Sequence, residues 1–306
     1  MPDVRSRRLT NELFLAAVGR ELGAVEPWVT DRLTAMLEEQ QVSAGDCIFS
    51  AGEPPDHLYF VRQGSLEIVR EGRPSDILEG PRAVGLLDAL VERPRSRSAY
   101  ARTPLELLRV PMDAWFELLE ESFELARTSV RGLARAVSAL EERAWSRAAP
   151  FAESGPGGSD ETGRPLDIVE RVVLLLKNPL LRGAGVQPVS DLAALSDEVC
   201  FEKGALLFER GAPARIYVPI DGHVVAEREK PVVTWRGGGG CMVCGAASLA
   251  GRTEWRARAS TRTRALAFDV ADWFDRMEEN FDMARATMAA LAVERERLTD
   301  ELGPSV

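Results

Sequence analysis

Apolar positions follow two rhythms along the chain, and each rhythm occurs twice. Leu33, Met36 and Leu37 fall at three- and one-residue steps, on one face of a helix. Short apolar runs of strand length follow in "CIFSAG", "HLYFVRQG", "SLEIVREG" and "ILEGP", with Gly, Pro and Asp returning roughly every 8–12 residues. These runs predict a small β-sandwich or jelly roll. A long helix closes the segment: Phe116, Leu119, Phe123, Ala126, Val130, Leu133, Val137 and Leu140 step by alternating threes and fours, a heptad seam. The second round opens with Val169, Val172, Val173 and Leu176 at helical spacing. It closes with Phe274, Met277, Phe281, Ala284, Met288, Leu291 and Leu298, a seam interrupted at Arg295. The expected fold class is α+β, mainly β, with two β-rolls of the jelly-roll kind. Each roll has an N-terminal helical segment and a long C-terminal helix.

The two rounds are copies of one unit. "GDCIFSAG" from Gly45 matches "GALLFERG" from Gly204, 159 residues on (204 − 45). "WFELLEESFELAR" from Trp115 matches "WFDRMEENFDMAR" from Trp273, 158 residues on (273 − 115). Between the copies lies "APFAESGPGGSDETGRP", which has the composition of a flexible linker. The expected organisation is a flexible N-terminus over 1–10, a first domain over 11–148, a linker over 149–165 and a second domain over 166–303.

Composition narrows the function classes. The chain has 306 residues with 45% hydrophobic content, enough for two cores. A net charge of −10 argues against a chain devoted to DNA binding, because phosphate neutralisation needs clustered Lys and Arg. The longest apolar runs, such as Val172–Leu176, fall far short of the roughly 20 residues of a spanning helix, so no membrane insertion is expected. The four cysteines do not suggest a disulfide framework, and a reduced, cytoplasmic protein is expected.

The order of elements, together with "AGDCIFSAGEPPDHLYFVRQGSLEI" and "AVGLLDALVERPRSRSAYA", resembles the cyclic-nucleotide-binding domain of the Crp/Fnr-like superfamily. The resemblance covers nearly all of both copies. It implies that the second stretch is a phosphate-binding cassette: Phe-Gly-Glu, a short helix, then Pro-Arg. The helix N–H groups and the Arg would hold the cyclic phosphate, and the Glu would accept from the ribose hydroxyl. Gly85, Pro94 and Arg95 match that pattern, Val84 replaces the Phe, and Leu86 stands where the Glu belongs. Leucine accepts no hydrogen bond, a loss of about 1–3 kcal/mol or roughly ten- to a hundredfold in affinity. If the first copy binds a ligand, the expected contacts are Gly85, Leu86, Leu87, Arg95 and Ser96. Asp88 is expected on another side of the short helix, and Arg93 and Arg97 on a solvated strand face. In the second copy Gly245 is taken as the cassette glycine, Ala246 replaces the Glu, and Trp255 stands ten residues on in place of Arg, so that cassette reads as degenerate. Arg252 and Arg256 are off the family position.

Other signals are weaker. Gly237–Gly240 lack the Gly-Lys-Ser/Thr of a phosphate loop and read as a turn. Cys241 and Cys244 could form a metal or redox pair, but no second pair accompanies them, and two buried small residues is the preferred reading. No catalytic set converges, so no enzyme, no metal and no cofactor are expected, with a cyclic nucleotide as the one candidate ligand of the first domain. In the family the long helix forms the dimer interface. Val130, Leu133, Val137, Leu140, Met288, Leu291 and Leu298 are therefore expected at an interface, within the chain or between copies. Copy two's helix ends at "ELGPSV", which would leave no room for a DNA-binding domain. The expectation is a non-enzymatic regulatory or scaffold module that engages a protein partner or itself. The alternatives are a cAMP- or cGMP-gated regulator acting through Arg95, and a metal or redox protein at Cys241 and Cys244.

Overall fold

A computed structural model of the chain describes residues 27–147, 164–212, 215–229, 232–252 and 254–303. The expected flexible N-terminus and most of the expected linker lie outside these residues. The described residues form two compact units, 27–132 and 133–303.

In the first unit, α1 (Pro27–Met36) precedes β1 (Glu38–Val42), β2 (Cys47–Phe49), β3 (His57–Gln63), β4 (Ser65–Val69), β5 (Asp76–Glu79) and β6 (Arg82–Val84). Then come the short helix α2 (Leu86–Leu90), β7 (Ser98–Ala101), β8 (Leu105–Pro111) and α3 (Met112–Glu121). Two antiparallel four-stranded sheets, ordered β1-β8-β3-β6 and β2-β7-β4-β5, make the roll. Strand alternation sends Leu66, Ile68, Ala99, Ala101, Leu105 and Leu107 into one core with Phe49, Tyr59 and Val84.

Helix α4 (Phe123–Arg147) begins in the first unit and continues into the second. The second unit then runs through α5 (Ile168–Leu176), α6 (Val186–Leu195), β9 (Asp197–Phe201), β10 (Leu206–Phe208), β11 (Arg215–Asp221), β12 (His223–Glu229) and β13 (Val232–Gly238). It ends with α7 (Gly245–Leu249), β14 (Arg256–Ala259), β15 (Thr263–Asp269), α8 (Val270–Glu279) and α9 (Phe281–Leu302). Its sheets, β11-β15-β9 and β10-β14-β12-β13, follow the plan of the first roll, with no strand matching β6 among the described residues.

Two expectations are corrected. The long closing helix is two helices in each copy, because Ser122 and Asn280 adopt extended backbone between α3 and α4 and between α8 and α9. The Asn280 side chain accepts from the Met283 N–H and so caps α9. On α5 the helix is present, but Val169 and Val173 face solvent while Leu174 and Leu175 are buried. The second unit includes the later turns of α4, where Trp145 packs against the second roll's core. The seam residues Val130, Val137, Met288, Leu291 and Leu298 are buried, and Leu133 and Leu140 are partly so.

The rolls turn at glycines that tolerate no side chain. Gly64 has φ +98°, and a Cβ there would lie 2.5 Å from the Pro104 carbonyl oxygen; its counterpart Gly222 has φ +78° and would meet the Arg262 carbonyl at 2.3 Å. Gly45, at φ +94°, faces open space. Gly64→Ala and Gly222→Ala should therefore each destabilise by more than 2 kcal/mol, while Gly45→Ala costs about 1 kcal/mol for its backbone alone, as read by urea denaturation.

Candidate functional site

The first cassette is built around a buried arginine. Gly85 takes the left-handed conformation, φ +96°, that swings the chain from β6 into α2. A Cβ there would sit 3.0 Å from Arg95 Nη1, so glycine serves both the turn and the arginine. The Arg95 side chain is enclosed, with 2% of the residue exposed. Its Nη2 donates to the His57 carbonyl at 2.8 Å and its Nη1 to the Gly85 carbonyl at 3.3 Å. The guanidinium lies 4.2 Å above the Phe49 ring centroid and 5.7 Å from that of Tyr59, and these two rings stack at 5.7 Å. No carboxylate pairs with it among the described residues. Burial lowers its pKa, and the fields of Tyr59, Asp56, Asp88 and Glu53 oppose that. An arginine remains charged under such a shift.

The neighbouring arginines have a different job from the one expected. Arg93, Arg95 and Arg97 lie in the loop between α2 and β7, not on a strand. Arg93 Nε donates to Asp88 Oδ1 at 2.8 Å, and Arg97 Nε is 3.9 Å from Asp88 Oδ2. Asp88 is buried, which opposes ionisation, but hydrogen bonds from Arg93 and Ser96 and the field of Arg97 outweigh this and lower its pKa. Asp88 therefore braces the cassette loop. Leu86 and Leu87, the first two residues of α2, are partly exposed and bring no polar side chain. Ser96 is held by Arg93 and Arg97.

In the second cassette the left-handed residue opening α7 is Cys244, φ +49°, and not Gly245, which is the first helical residue. Gly245 and Ala246 thus stand where Leu86 and Leu87 stand in the first copy. Trp255 directly precedes β14, as Arg97 directly precedes β7. It is 2% exposed and belongs to the roll's core. The T-shaped partner of Trp255 is Trp145 of α4, at 5.7 Å and 79°. One turn earlier, Glu142 Oε1 meets Arg228 Nη1 and Arg252 Nη1, each at 2.5 Å. Arg256 instead pairs with Glu227. Cys241 is exposed and Cys244 is enclosed, where burial first and then Glu141 and Glu142 raise its thiol pKa. Among the described residues no three His, Cys, Asp or Glu gather as a metal set.

Sequence reasoning missed Phe49, Tyr59, Glu142, Arg228 and Trp145. Phe49 and Phe208, and Tyr59 and Tyr217, recur at the repeat offsets of 159 and 158, and the second pair stacks as the first does, at 6.0 Å. That recurrence was the available signal. Trp145 has no aromatic counterpart at the offset of 158, where Gly303 stands, so nothing in the repeat marked it.

Residues 39–122, from the first residues of β1 to the break before α4, match the family model of the cyclic nucleotide-binding domain. The first repeat is thus similar to a cyclic nucleotide-binding domain. The chain is 27% identical over 140 residues, 44% of its length, to the global nitrogen regulator of Synechococcus elongatus, and it spans 60% of that relative's length. Among solved structures, the regulatory subunit of a cAMP-independent protein kinase A from Trypanosoma brucei is similar over 92% of this chain and 91% of that one, at 18% identity and a TM-score of 0.38. The regulatory domain of Toxoplasma gondii protein kinase A with cAMP is similar over 90% and 94%, at 13% identity and a TM-score of 0.35. No helix among the described residues is long and apolar enough to cross a membrane.

One group beside the second cassette sets a pH response. Glu141 Oε2 is shut off from water without a hydrogen-bond partner. Burial, then the field of Glu294, raises this carboxyl from 4.5 to about 8, with Arg297 opposing and Glu142 adding to the rise. Cys244 also lies within its field. The folded chain holds a proton that the unfolded chain releases, so stability falls as pH rises from about 4.5 to about 8. Thermal melts should show Tm dropping across that range, and Glu141→Gln should remove most of the drop. A Tm equally pH-dependent in Glu141→Gln would contradict this assignment.

Proposed function

We propose that the chain is a non-enzymatic regulatory and protein-interaction module whose two β-rolls do not take ordinary cyclic nucleotides. The observation that carries this reading is the state of Arg95. Its guanidinium is committed to the carbonyls of His57 and Gly85 and lies against Phe49. Leu86 supplies no acceptor for a ribose hydroxyl. A cyclic nucleotide would have to displace two hydrogen bonds and would gain no carboxylate partner for its sugar. In the second roll, Trp255 and Trp145 occupy the interior beside the cassette. The partner of such a module is a protein or a second copy of the chain rather than DNA, in keeping with the net charge of −10. Four free cysteines fit a reducing cytoplasm.

A second reading has its own support. Arg95 is a buried full charge met only by carbonyl dipoles and rings, and a phosphate could complete it. On that reading the first repeat is a cAMP- or cGMP-gated regulator.

Isothermal titration of the full chain with cAMP and with cGMP, carried to millimolar ligand, decides between the two. The module reading predicts no saturable heat. Micromolar binding that Arg95→Ala abolishes would replace it with the ligand-gated reading.

A further inference from the structure

The interior of the second roll is too small in side-chain volume to fill itself. At matching positions Ile68 becomes Ala226, Leu66 becomes Val224, Leu105 becomes Thr263 and Leu107 becomes Ala265. Protein cores do not leave such losses as voids. Two indoles make up the difference: Trp255 from the roll itself and Trp145 from α4, which packs against the cluster of Leu207, Tyr217, Val224, Ala226 and Val243.

Charge is complementary at the same place. Arg228 lies at the end of β12, and Arg252 follows α7. Their side chains are largely enclosed, and both reach the same carboxylate oxygen, Glu142 Oε1, at 2.5 Å. Glu142 itself is 9% exposed. Arg252 Nη1 donates a hydrogen bond to Glu142, whereas Arg228 meets it as an ion pair only: its Nε and Nη1 are buried and make no hydrogen bond among the described residues, so the pair of arginines has capacity beyond one carboxylate oxygen. Glu142 and Trp145 are three apart on one helix and therefore reach the roll side by side.

We propose that the second β-roll is a receptor for a helix carrying a carboxylate and an indole three residues apart, and that this chain's own α4 is its resident ligand, with Glu142 held by Arg228 and Arg252 as an anion would be and Trp145 seated on Trp255. The roll keeps the logic of an anion-plus-aromatic pocket but takes its ligand from its own polypeptide. A free phosphate then reaches the arginines only when Glu142 leaves. This goes beyond the module reading above, and it stands whether or not the first repeat binds a nucleotide.

The test uses the full chain and two probes. Hydrogen exchange followed by mass spectrometry should show amides 133–145 exchanging at least about tenfold faster in Glu142→Gln, with β15 unchanged. Arg252→Gln removes the same pair from the roll's side and should produce the same local change, which keeps the test open if Glu142→Gln does not fold. Inorganic phosphate at tens of millimolar should raise the Tm of Glu142→Gln more than that of the wild type, and should not do so for Glu142→Gln combined with Arg252→Gln. Unchanged exchange at 133–145, an equal rise across β15, or phosphate stabilisation no greater than in the wild type would each overturn the proposal. A nucleotide signal in the titration described above, with these exchange results intact, would remove the module reading and leave this one standing.

Discussion

A charge inside a β-roll must be met by an opposite charge or by oriented dipoles, because burial without either costs several kcal/mol. The first roll buries an arginine and the second half-buries two, and each solves the problem in its own way. The first lays Arg95 between Phe49, Tyr59 and two backbone carbonyls. The second brings a carboxylate to its arginines from a separate helix. Around each cation the rest follows: Gly85 has room only for a hydrogen beside Arg95, and the small residues of β12 and β15 leave room for Trp145.

Much of the fold was legible in the sequence. Period-two runs gave the strands, and the near-constant repeat offset gave the duplicated roll. Two features were not legible. The break at Ser122 and Asn280 was hidden because the apolar seam passes through it unbroken: only the extended backbone of one residue separates the helices, and Phe116, Phe123 and Ala126 keep heptad spacing across it. The face of α5 was hidden because all its residues but Glu170 and Arg171 are apolar, so periodicity could not choose between Val173 and Leu174.

The sites were half legible. Arg95 and Gly85 followed from the cassette pattern, and Arg95 Nη1 donates to the Gly85 carbonyl at 3.3 Å. The frame of the second cassette was shifted by one residue because glycine was the natural choice for a left-handed turn, whereas Cys244 holds it. Glu142 with Arg252 was out of reach, since an ion pair between residues 110 positions apart leaves no local trace. Residues 39–122 of the first repeat match the family model of the cyclic nucleotide-binding domain.

The central claim is that the polypeptide satisfies both of its arginine sites by itself. A crystal structure of the full chain grown with millimolar cAMP tests it most directly. The account predicts Arg95 still on the His57 and Gly85 carbonyls, Glu142 still between Arg228 and Arg252, and no nucleotide in either roll. A cyclic phosphate on Arg95, or on Arg252 with Glu142 displaced, would contradict it.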